Sequence, residues 1–228
     1  MQTPIAAVRS GAPEETDSAG DARRARTQAL ADARRALVLD AARAAFFELG
    51  MEKTSMREIA QRAGYTPGAI YSYFPSKEAV YGALLEESLD RLNERVRQAL
   101  AGKDTPVERL RAAALAFFCF YQANPRDLDL GFYLFQGMKP RGLTPELNEA
   151  LNARLLEALQ PVEAELKGLG LSQAAALQEV TALFAHAVGL LVLSHTGRIR
   201  MFRQASQDLF DEYLERLVRR AKPSSRRR

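Results

Sequence analysis

The sequence predicts an all-α protein of about nine helices. Apolar residues recur at the spacing of one helix face along most of the chain after residue 26. The alternation of apolar and polar residues that marks a half-buried strand does not occur over any convincing length. Helix starts and stops are frequent, with Ser or Thr at N-caps, Pro at first helical positions and Gly after last turns.

The composition is that of a globular protein, with 47% apolar and 26% charged residues in 228. The one cysteine, Cys119, excludes a disulfide framework and a cysteine-based zinc site, and we expect no metal or cofactor. The N-terminus lacks the apolar core of a signal peptide, and the most apolar internal run, Ala185 to Leu193, is too short to span a bilayer. We therefore expect a cytoplasmic protein without a membrane partner.

The basic residues are unevenly distributed. The formal charge is +4 and the pI about 9.3, with the excess concentrated between Arg23 and Lys77 and in the C-terminal residues 222–228. This pattern indicates an anionic partner, although a modest excess is a weak signal. Residues 1–26 are rich in Gly, Pro, Ser and charge, which predicts a disordered arm with a basic end, and residues 222–228 are a basic tail.

The N-terminal helices have clear boundaries. The first carries an apolar face and stops at Gly50, the face being Val38, Ala41, Ala42, Ala45, Phe46 and Leu49. The second begins at Ser55, with Glu58 completing a capping box, and runs to Ala63. Gly64 ends it, Thr66 and Pro67 open a short third helix that Pro75 closes, and Ser76 caps a long helix to about Leu100.

The same start signals recur beyond Gly102. Thr105-Pro106 with Glu108, Asn124-Pro125, Thr144-Pro145 and Ser172 each predict a helix N-terminus. A last amphipathic helix is predicted from about Ser206 to Ala221.

The short third helix has an unusual exposed face. At about 100° per residue, Ile70 and Phe74 share the inner face. The outer arc is small and uncharged, which favours close approach of a partner; it comprises Gly68, Ala69, Tyr71 and Ser72. Residues 55–74 are thus interpreted as a helix-turn-helix whose second helix enters the DNA major groove, although similar short helix pairs occur in proteins that do not bind DNA.

The run from Val38 to Glu86 resembles the DNA-binding domain of the TetR family of bacterial transcriptional regulators. The resemblance lies in Ala41-Ala42, Gly50, Thr54-Ser55, Ile59-Ala60, Ala63-Gly64, the Gly-x-Ile-Tyr-x-Tyr-Phe of residues 68–74, and Ser76-Lys77-Glu78. It implies a three-helix DNA-binding domain at 27–75, linked through helix 76–100, and a helical effector-binding and dimerisation domain at 76–221.

The resemblance also implies roles for individual residues. Thr54 and Ser55 would stand at the DNA backbone. The predicted base-facing residues are Thr66, Pro67, Gly68, Ala69 and Ser72, and the predicted phosphate contacts are Tyr71, Tyr73 and Lys77. Tyr65 departs from the small residue usual in the family, and it either packs as a core plug or touches the DNA backbone.

The predicted recognition helix has few side chains that could form specific contacts with bases. Gly68 has no side chain and Ala69 offers only a methyl group, so bidentate contacts by Arg or Asn are missing. Specificity could come from Arg57 or Arg62, from Arg23, Arg24 and Arg26 of the arm in an adjacent groove, or from DNA shape. Each of these arginines is equally consistent with a solvated basic surface.

The larger domain has an aromatic-rich middle, in FFCFY at 117–121 and GFYLF at 131–135. In the family this domain surrounds a ligand cavity, so the resemblance implies an effector site. The candidate lining residues are Phe118, Tyr121, Phe132, Phe135, Met138, Phe184 and His186, each of which ordinary core packing would also explain. His186 and His195 lack metal-ligand spacing and are expected to have hydrogen-bonded structural roles, and Cys119 is expected to be inert.

We expect a homodimer, because one two-turn helix reads too little sequence and such readers pair on a palindrome. The predicted interface is formed by residues 180–193 and 209–218 of both subunits, unless these helices only complete one subunit's core. The resulting hypothesis is a repressor that leaves a palindromic operator when a small apolar or aromatic effector shifts helix 76–100. The chain shows no catalytic motif and is expected not to be an enzyme; the alternative is a helical protein-interaction adaptor.

Overall fold

A computed structural model describes residues 18–132 and 143–222. These residues are helical and contain no strand, which confirms the all-α prediction. The helices in the described ranges are α1 (Ser18–Leu49), α2 (Met56–Ala63), α3 (Pro67–Tyr71), α4 (Lys77–Leu100), α5 (Pro106–Ala123), α6 (Pro125–Phe132), α7 (Pro145–Gly168), α8 (Gln173–His195) and α9 (Ser206–Ala221), with a 3₁₀ helix at Arg198–Phe202. Two predicted effector residues, Phe135 and Met138, lie outside the described residues, as does the basic tail beyond Lys222.

The start of α1 differs from the sequence prediction. A disordered arm was predicted up to residue 26, but α1 begins at Ser18 and is 32 residues long. The prediction is therefore wrong for residues 18–26. The reason is local: beyond Gly20 the segment contains mainly Ala, Arg, Gln and Leu, which favour the helix even without an apolar face to bury.

The helix caps follow the sequence closely, with one exception. Thr66, Ser76, Thr105, Thr144 and Ser172 each accept a hydrogen bond from the backbone N–H three residues on. The full capping box forms between Thr105 and Glu108. The box predicted at Ser55 is only half formed, because the Glu58 carboxylate accepts from Arg62 Nε at 2.6 Å instead of from the backbone of Ser55.

The three N-terminal helices pack around a small core. Val38 and Ala42 of α1, Ile59 of α2 and Ile70 of α3 are fully buried, and Phe74 is nearly so. Burial of Ile70 and Phe74 fixes which face of α3 points outward. This confirms the inner face predicted for the short helix.

The C-terminal helices pack with α4 into a second layer. α5 and α7 both lie against α4, and α8 and α9 pack against each other. Gly82 of α4 faces Leu147 of α7, and a Cβ at this position would lie 2.5 Å from Leu147 Cδ2 and displace that side chain. The buried apolar residues of both layers form one continuous cluster.

Three contacts join α1 to α4 and α4 to α6. The rings of Phe46 and Tyr81 meet edge to face at 6.1 Å. Tyr81 Oη donates to the Leu130 carbonyl at 2.5 Å, and Arg43 pairs with Glu87 at 2.9 Å. A displacement of α6 would therefore be felt by α4 and, through Phe46, by α1.

Helix α8 is more apolar than the sequence analysis allowed. Ala185–Leu193 belongs to a helix of 23 residues, Gln173–His195, whose most apolar 18-residue stretch has a mean hydropathy of 1.7, so the apolar segment is longer than the sequence analysis counted. Of the described helices, α8 alone is long and apolar enough to cross a membrane, a test that core helices of soluble proteins also pass. It packs against α5, α7 and α9 on one side.

Candidate nucleic-acid interface

The turn between α2 and α3 has the geometry of a helix-turn-helix. Gly64 adopts φ 74°, ψ 26°, and its N–H points back to the carbonyls of Ala60 and Gln61. The N–H of Tyr65 donates to the Ala60 carbonyl at 2.9 Å. Only a residue that tolerates the left-handed region closes α2 this tightly, and α3 then starts at once from the Thr66 cap.

The exposed face of α3 carries no charge. Thr66, Pro67, Gly68, Ala69 and Ser72 are all exposed. Tyr71 is 53% exposed and extends from the same surface. Six of the predicted DNA-contacting residues are thus exposed on α3 and its two caps.

Gly68 is not required by the fold. Its φ is not positive, and a Cβ built at this position would meet no atom within 4 Å. Glycine inside a helix costs roughly 0.5–1 kcal/mol relative to alanine. A glycine that the protein's own packing does not need is therefore best explained by a partner that approaches the helix closely.

Two hydroxyls at the edge of this face serve internal hydrogen bonds. Ser72 Oγ donates to the Ala69 carbonyl at 2.7 Å. Ser55 Oγ accepts from the Glu58 N–H at 3.1 Å, which leaves its own proton available to an external acceptor. Ser55 is exposed, as its predicted role requires.

The predicted DNA contact of Thr54 is wrong. Its side chain is only 2% exposed, and its hydroxyl lies 2.8 Å from the Gly50 carbonyl and 3.2 Å from that of Ala45. The hydroxyl fastens the α1–α2 turn and faces away from solvent. Thr54 can therefore position Ser55 but cannot reach a phosphate.

Lys77 has a more internal role than predicted. Its Nζ donates to the carbonyls of Met51 at 2.9 Å and Thr54 at 3.3 Å, and the side chain is half-buried. The ammonium retains one unused N–H and holds its charge beside the start of α2. Tyr73 is also half-buried against the core, so it offers less surface than Tyr71.

The cations of α2 differ in availability. Arg62 bonds to Glu48 and Glu58, both at 2.6 Å, and its hydrogen bond lowers the pKa of Glu48. Through this pairing Arg62 links α1 to α2. Its guanidinium is therefore not free to contact a base, a role that the sequence had left open for it. Arg57 is exposed, and no ion pair to it is seen within residues 18–132 or 143–222.

Sequence reasoning missed Lys53. It is exposed in the turn beside Ser55 and has no ion pair within the described ranges. The available signal was its place just before the α2 N-terminus, where backbone N–H groups attract anions. Tyr65, left open from sequence, is half-buried and packs against the core, so it is a core plug.

The comparison with known families matches this part of the chain. Residues 38–84 fit the family described as "Bacterial regulatory proteins, tetR family". Residues 38–84 thus match the N-terminal domain of the TetR family.

The named relatives of the chain include an activator and a repressor. The transcriptional activator FasR of Mycolicibacterium smegmatis is 40% identical over 101 residues, which cover 44% of this chain and 46% of FasR. The repressor KstR2 of Mycobacterium tuberculosis is 38% identical over 87 residues, covering 38% and 44%. The matches thus span less than half the length of these curated relatives.

Solved TetR-family structures share the fold over most of the chain. FadR of Bacillus subtilis, solved with stearoyl-CoA, has a TM-score of 0.61 at 22% identity and covers 80% of this chain and 96% of FadR. A TetR/AcrR regulator of Thermobifida fusca has a TM-score of 0.57 at 27% identity, covering 85% and 99%. The helical domain is therefore built like those of the family.

The effector candidates that the structure describes fall into two groups. Tyr121 and Phe132 meet edge to face at 5.7 Å, and Phe132 lies 5.7 Å from Phe184. Phe118 instead stacks on Phe210 at 4.3 Å, and His186 stacks on Tyr213 at 4.4 Å. The lining predicted from sequence is thus divided, with Phe118 and His186 packed against α9.

An open groove lies elsewhere. It has a volume of about 830 Å³ and runs between α1, α4 and the start of α6, with Phe47, Arg91 and Arg126 among its walls. None of the five effector candidates within the described residues lines it, these being Phe118, Tyr121, Phe132, Phe184 and His186. The rings of Tyr121, Phe132 and Phe184 fill their own space in the present conformation.

The remaining single-residue predictions concern two histidines and the cysteine. His195 Nε2 lies 3.0 Å from the Tyr121 carbonyl, in keeping with a structural hydrogen bond. His186 Nε2 is buried with no hydrogen-bond partner in the described part of the chain. Burial raises the pKa of the Cys119 thiol, which disfavours a reactive thiolate.

Proposed function

We propose that this chain is a sequence-specific DNA-binding transcriptional regulator, and that α3 lies in the major groove of its operator. The observation that carries the proposal is the outer face of α3, which is small, uncharged and centred on a glycine that the fold does not need. Thr66 and Ser55 supply hydroxyls at its edge, and Tyr71 can donate to a phosphate.

We call α2 and α3 together the reading head. Its residues position the protein on DNA more than they recognise bases. Arg57 is the exposed cation nearest the face that can reach a base edge or a phosphate, and Lys53 stands beside the α2 N-terminus. Without a bidentate side chain on α3, recognition of the operator depends on shape, on methyl contacts from Ala69 and on a second reading head.

The second reading head would come from a homodimer. The solvent side of α8 carries small or uncharged residues at coiled-coil-like spacing, namely Ala174, Gln178, Thr181, Ala185 and Gly189. A Cβ at Gly189 would meet nothing within 4 Å in its own chain, so the space is open to a partner helix. Pairing through α8 and α9 would cover this apolar side and place two α3 helices on a palindrome, about 34–36 Å apart.

The effector is proposed to be a small apolar or aromatic molecule that inserts among Tyr121, Phe132 and Phe184. These rings adjoin Leu130, whose carbonyl holds the hydroxyl of Tyr81 on α4. A ligand that separates the rings must move α6, and α4 would follow and change the distance between the reading heads. Because FadR of B. subtilis was solved with stearoyl-CoA, long-chain acyl-CoA is the first probe.

The proposed mode is repression relieved by the effector. The named relatives include both an activator and a repressor, so whether this chain represses or activates transcription needs its own measurement. The relatives are named as regulators, in agreement with a non-enzymatic role, and the proposed site of action is the cytoplasm.

The decisive experiment is selection of bound duplexes from a random DNA pool, followed by affinity measurements over a range of salt. A palindromic consensus bound with a steep salt dependence supports the proposal. Equal affinity for selected and shuffled duplexes would refute it. Adding stearoyl-CoA, stearate or an aromatic acid to the complex then tests release, and a reporter behind the selected operator gives the sign of regulation.

A further inference from the structure

The first half of α1 stands out from the fold. We call residues 18–37 the α1 extension. No residue from 20 to 37 is buried, and every residue from 21 to 30 is exposed. The match to the family begins only at residue 38, so the extension lies outside it.

Charges are separated around the α1 extension. At about 100° per residue, Arg23, Arg26 and Arg34 fall within an arc of about 80°, and the acidic residues Asp21 and Asp32 fall on the opposite side. Asp21 accepts from Arg24 at 2.7 Å and Asp32 from Gln28 at 2.8 Å. The three arginines of the arc have no ion pair to any residue that the structure describes.

The extension starts beside the recognition helix. The guanidinium of Arg35 lies over the ring of Phe74 at 5.1 Å, and Phe74 follows shortly after the last residue of α3. From Arg35 back to Ser18 the helix is about 25 Å long. The helix-turn-helix therefore adjoins the first residues of a long helix whose arginine arc lies about 100–180° around the axis from Arg35.

We propose that the α1 extension binds the phosphate backbone of DNA next to the operator through Arg23, Arg26 and Arg34. This inference rests on the proposed function. An α-helix with its side chains is about 10–12 Å wide, whereas the minor groove is about 6 Å wide, so the extension contacts phosphates and does not read bases. It replaces the flexible arm in a minor groove that the sequence suggested.

Three positive charges on one helix face have a defined thermodynamic effect. Each phosphate contact contributes about 0.9 to the slope of log affinity against log salt concentration. The contribution is the same for any DNA sequence, because phosphates carry no sequence information. The extension thus raises affinity and salt dependence without altering the preference for the operator.

The test compares two triple variants with the wild-type chain. One is Arg23→Gln, Arg26→Gln, Arg34→Gln, which keeps side-chain length and helix propensity. The control is Arg97→Gln, Lys103→Gln, Lys167→Gln, which changes the net charge by the same amount at three exposed residues, of which Arg97 pairs with Glu94 and Lys167 with Glu163. Arg97 lies about 30 Å along α4 from Lys77, several screening lengths from the reading head at physiological salt. Affinity is measured for the selected operator and a shuffled duplex from 50 to 300 mM salt.

We expect the extension variant to lose about 2–3 from the magnitude of the salt slope and roughly tenfold or more in affinity for both duplexes. The control should keep the wild-type slope, and circular dichroism should show equal helicity. An unchanged slope in the extension variant overturns the inference while leaving the proposed function intact. Absence of salt-dependent DNA binding by the wild-type chain overturns both.

The exposed leucines of the α1 extension suggest another partner for this surface, namely a second copy of the chain. Leu30 and Leu37 are 59% and 53% exposed and lie on the arginine side, where a second copy of the helix could cover them. Light-scattering mass is therefore measured for each variant. A fall in oligomer mass for Leu30→Gln, Leu37→Gln together with an unchanged salt slope for the arginine variant assigns the surface to protein pairing and overturns DNA binding.

Discussion

The outer face of α3 and the aromatic middle of the helical domain were both predicted as binding sites from residue type, and they differ in what the fold already uses. Tyr71 on α3 is 53% exposed, and Gly68 faces open space. Phe118 in the helical domain is fully buried and stacked on Phe210. Exposed side chains that make no contact within the fold indicate a binding partner. Buried rings that stack on one another are explained by core packing.

The largest effect is expected from Phe118→Ala. Loss of a fully buried ring that stacks at 4.3 Å should lower the free energy of unfolding by about 3–5 kcal/mol. Urea denaturation measures the change, and Phe202→Ala serves as the matched control because Phe202 is 63% exposed. If Phe118→Ala left stability intact but abolished effector response, Phe118 would line the effector site after all.

Gly68→Leu should lower the affinity for DNA without lowering the stability of the fold. The fold has room for the side chain, so the free energy of unfolding should not fall. The affinity for operator DNA should drop about tenfold or more, equivalent to at least about 1.4 kcal/mol, because the helix can no longer approach the groove. Fluorescence anisotropy and urea denaturation on the same samples separate the two effects.

The reverse control for Gly68 is Gly82→Ala. Its added Cβ would lie 2.5 Å from Leu147 Cδ2 and force that side chain out of its rotamer, so we expect a loss of about 0.5–1.5 kcal/mol in stability. If instead Gly68→Leu binds operator as tightly as the wild-type chain, the outer face of α3 is not approached closely and the main argument for DNA reading is lost.

Thr54→Val tests whether Thr54 stabilises the α1–α2 turn or contacts DNA. The variant keeps the shape of the side chain but removes the hydrogen bond to the Gly50 and Ala45 carbonyls, which should cost about 1 kcal/mol of stability. The salt slope of DNA binding should stay unchanged because Thr54 is buried. A slope reduced by about one with normal stability would show a phosphate contact.

Local chemistry explains which parts of the fold were predictable. The stop at Gly64 and the caps at Thr66 and Ser76 depend on one or two residues and their immediate neighbours, so their positions could be read from sequence. The start of α1 was missed because helix propensity acted without the apolar face that was used as the criterion. Boundaries that a single residue enforces are predictable, and boundaries set by a sum of weak preferences are less so.

Tertiary geometry explains the errors at the sites. Thr54 and Ser55 are neighbours in sequence, yet one hydroxyl turns to the carbonyls of the α1–α2 turn and the other stays exposed. Phe118 and Tyr121 lie on one helix but meet different partners, Phe210 on α9 and Phe132 on α6. Which of two suitable side chains is free depends on what other helices bring to them, and residue type does not carry that information.

The smallest effect concerns His186, the polar member of the aromatic region. Burial lowers its pKa below the usual 6.5, and Nε2 has no acceptor in the described residues for the proton it would gain. The ring stacks on Tyr213, whose nearest charged groups, Glu179 and Arg220, pair with each other at 2.8 Å. As the pH falls through 6.5, the unfolded chain takes up this proton before the folded chain does.

The stability that the neutral His186 provides is therefore complete above about pH 7 and declines as the pH falls through 6.5 toward the lower folded pKa. His186→Phe, which preserves the stack on Tyr213, should make the free energy of unfolding less dependent on pH between 7 and 5.5. Phe202→Gln is the control, because Phe202 is 63% exposed and carries no titratable group. Equal pH profiles for His186→Phe and the wild-type chain would mean that His186 is protonated as easily in the folded as in the unfolded chain, and that its hydrogen bond to the Leu209 backbone offsets the effect of burial.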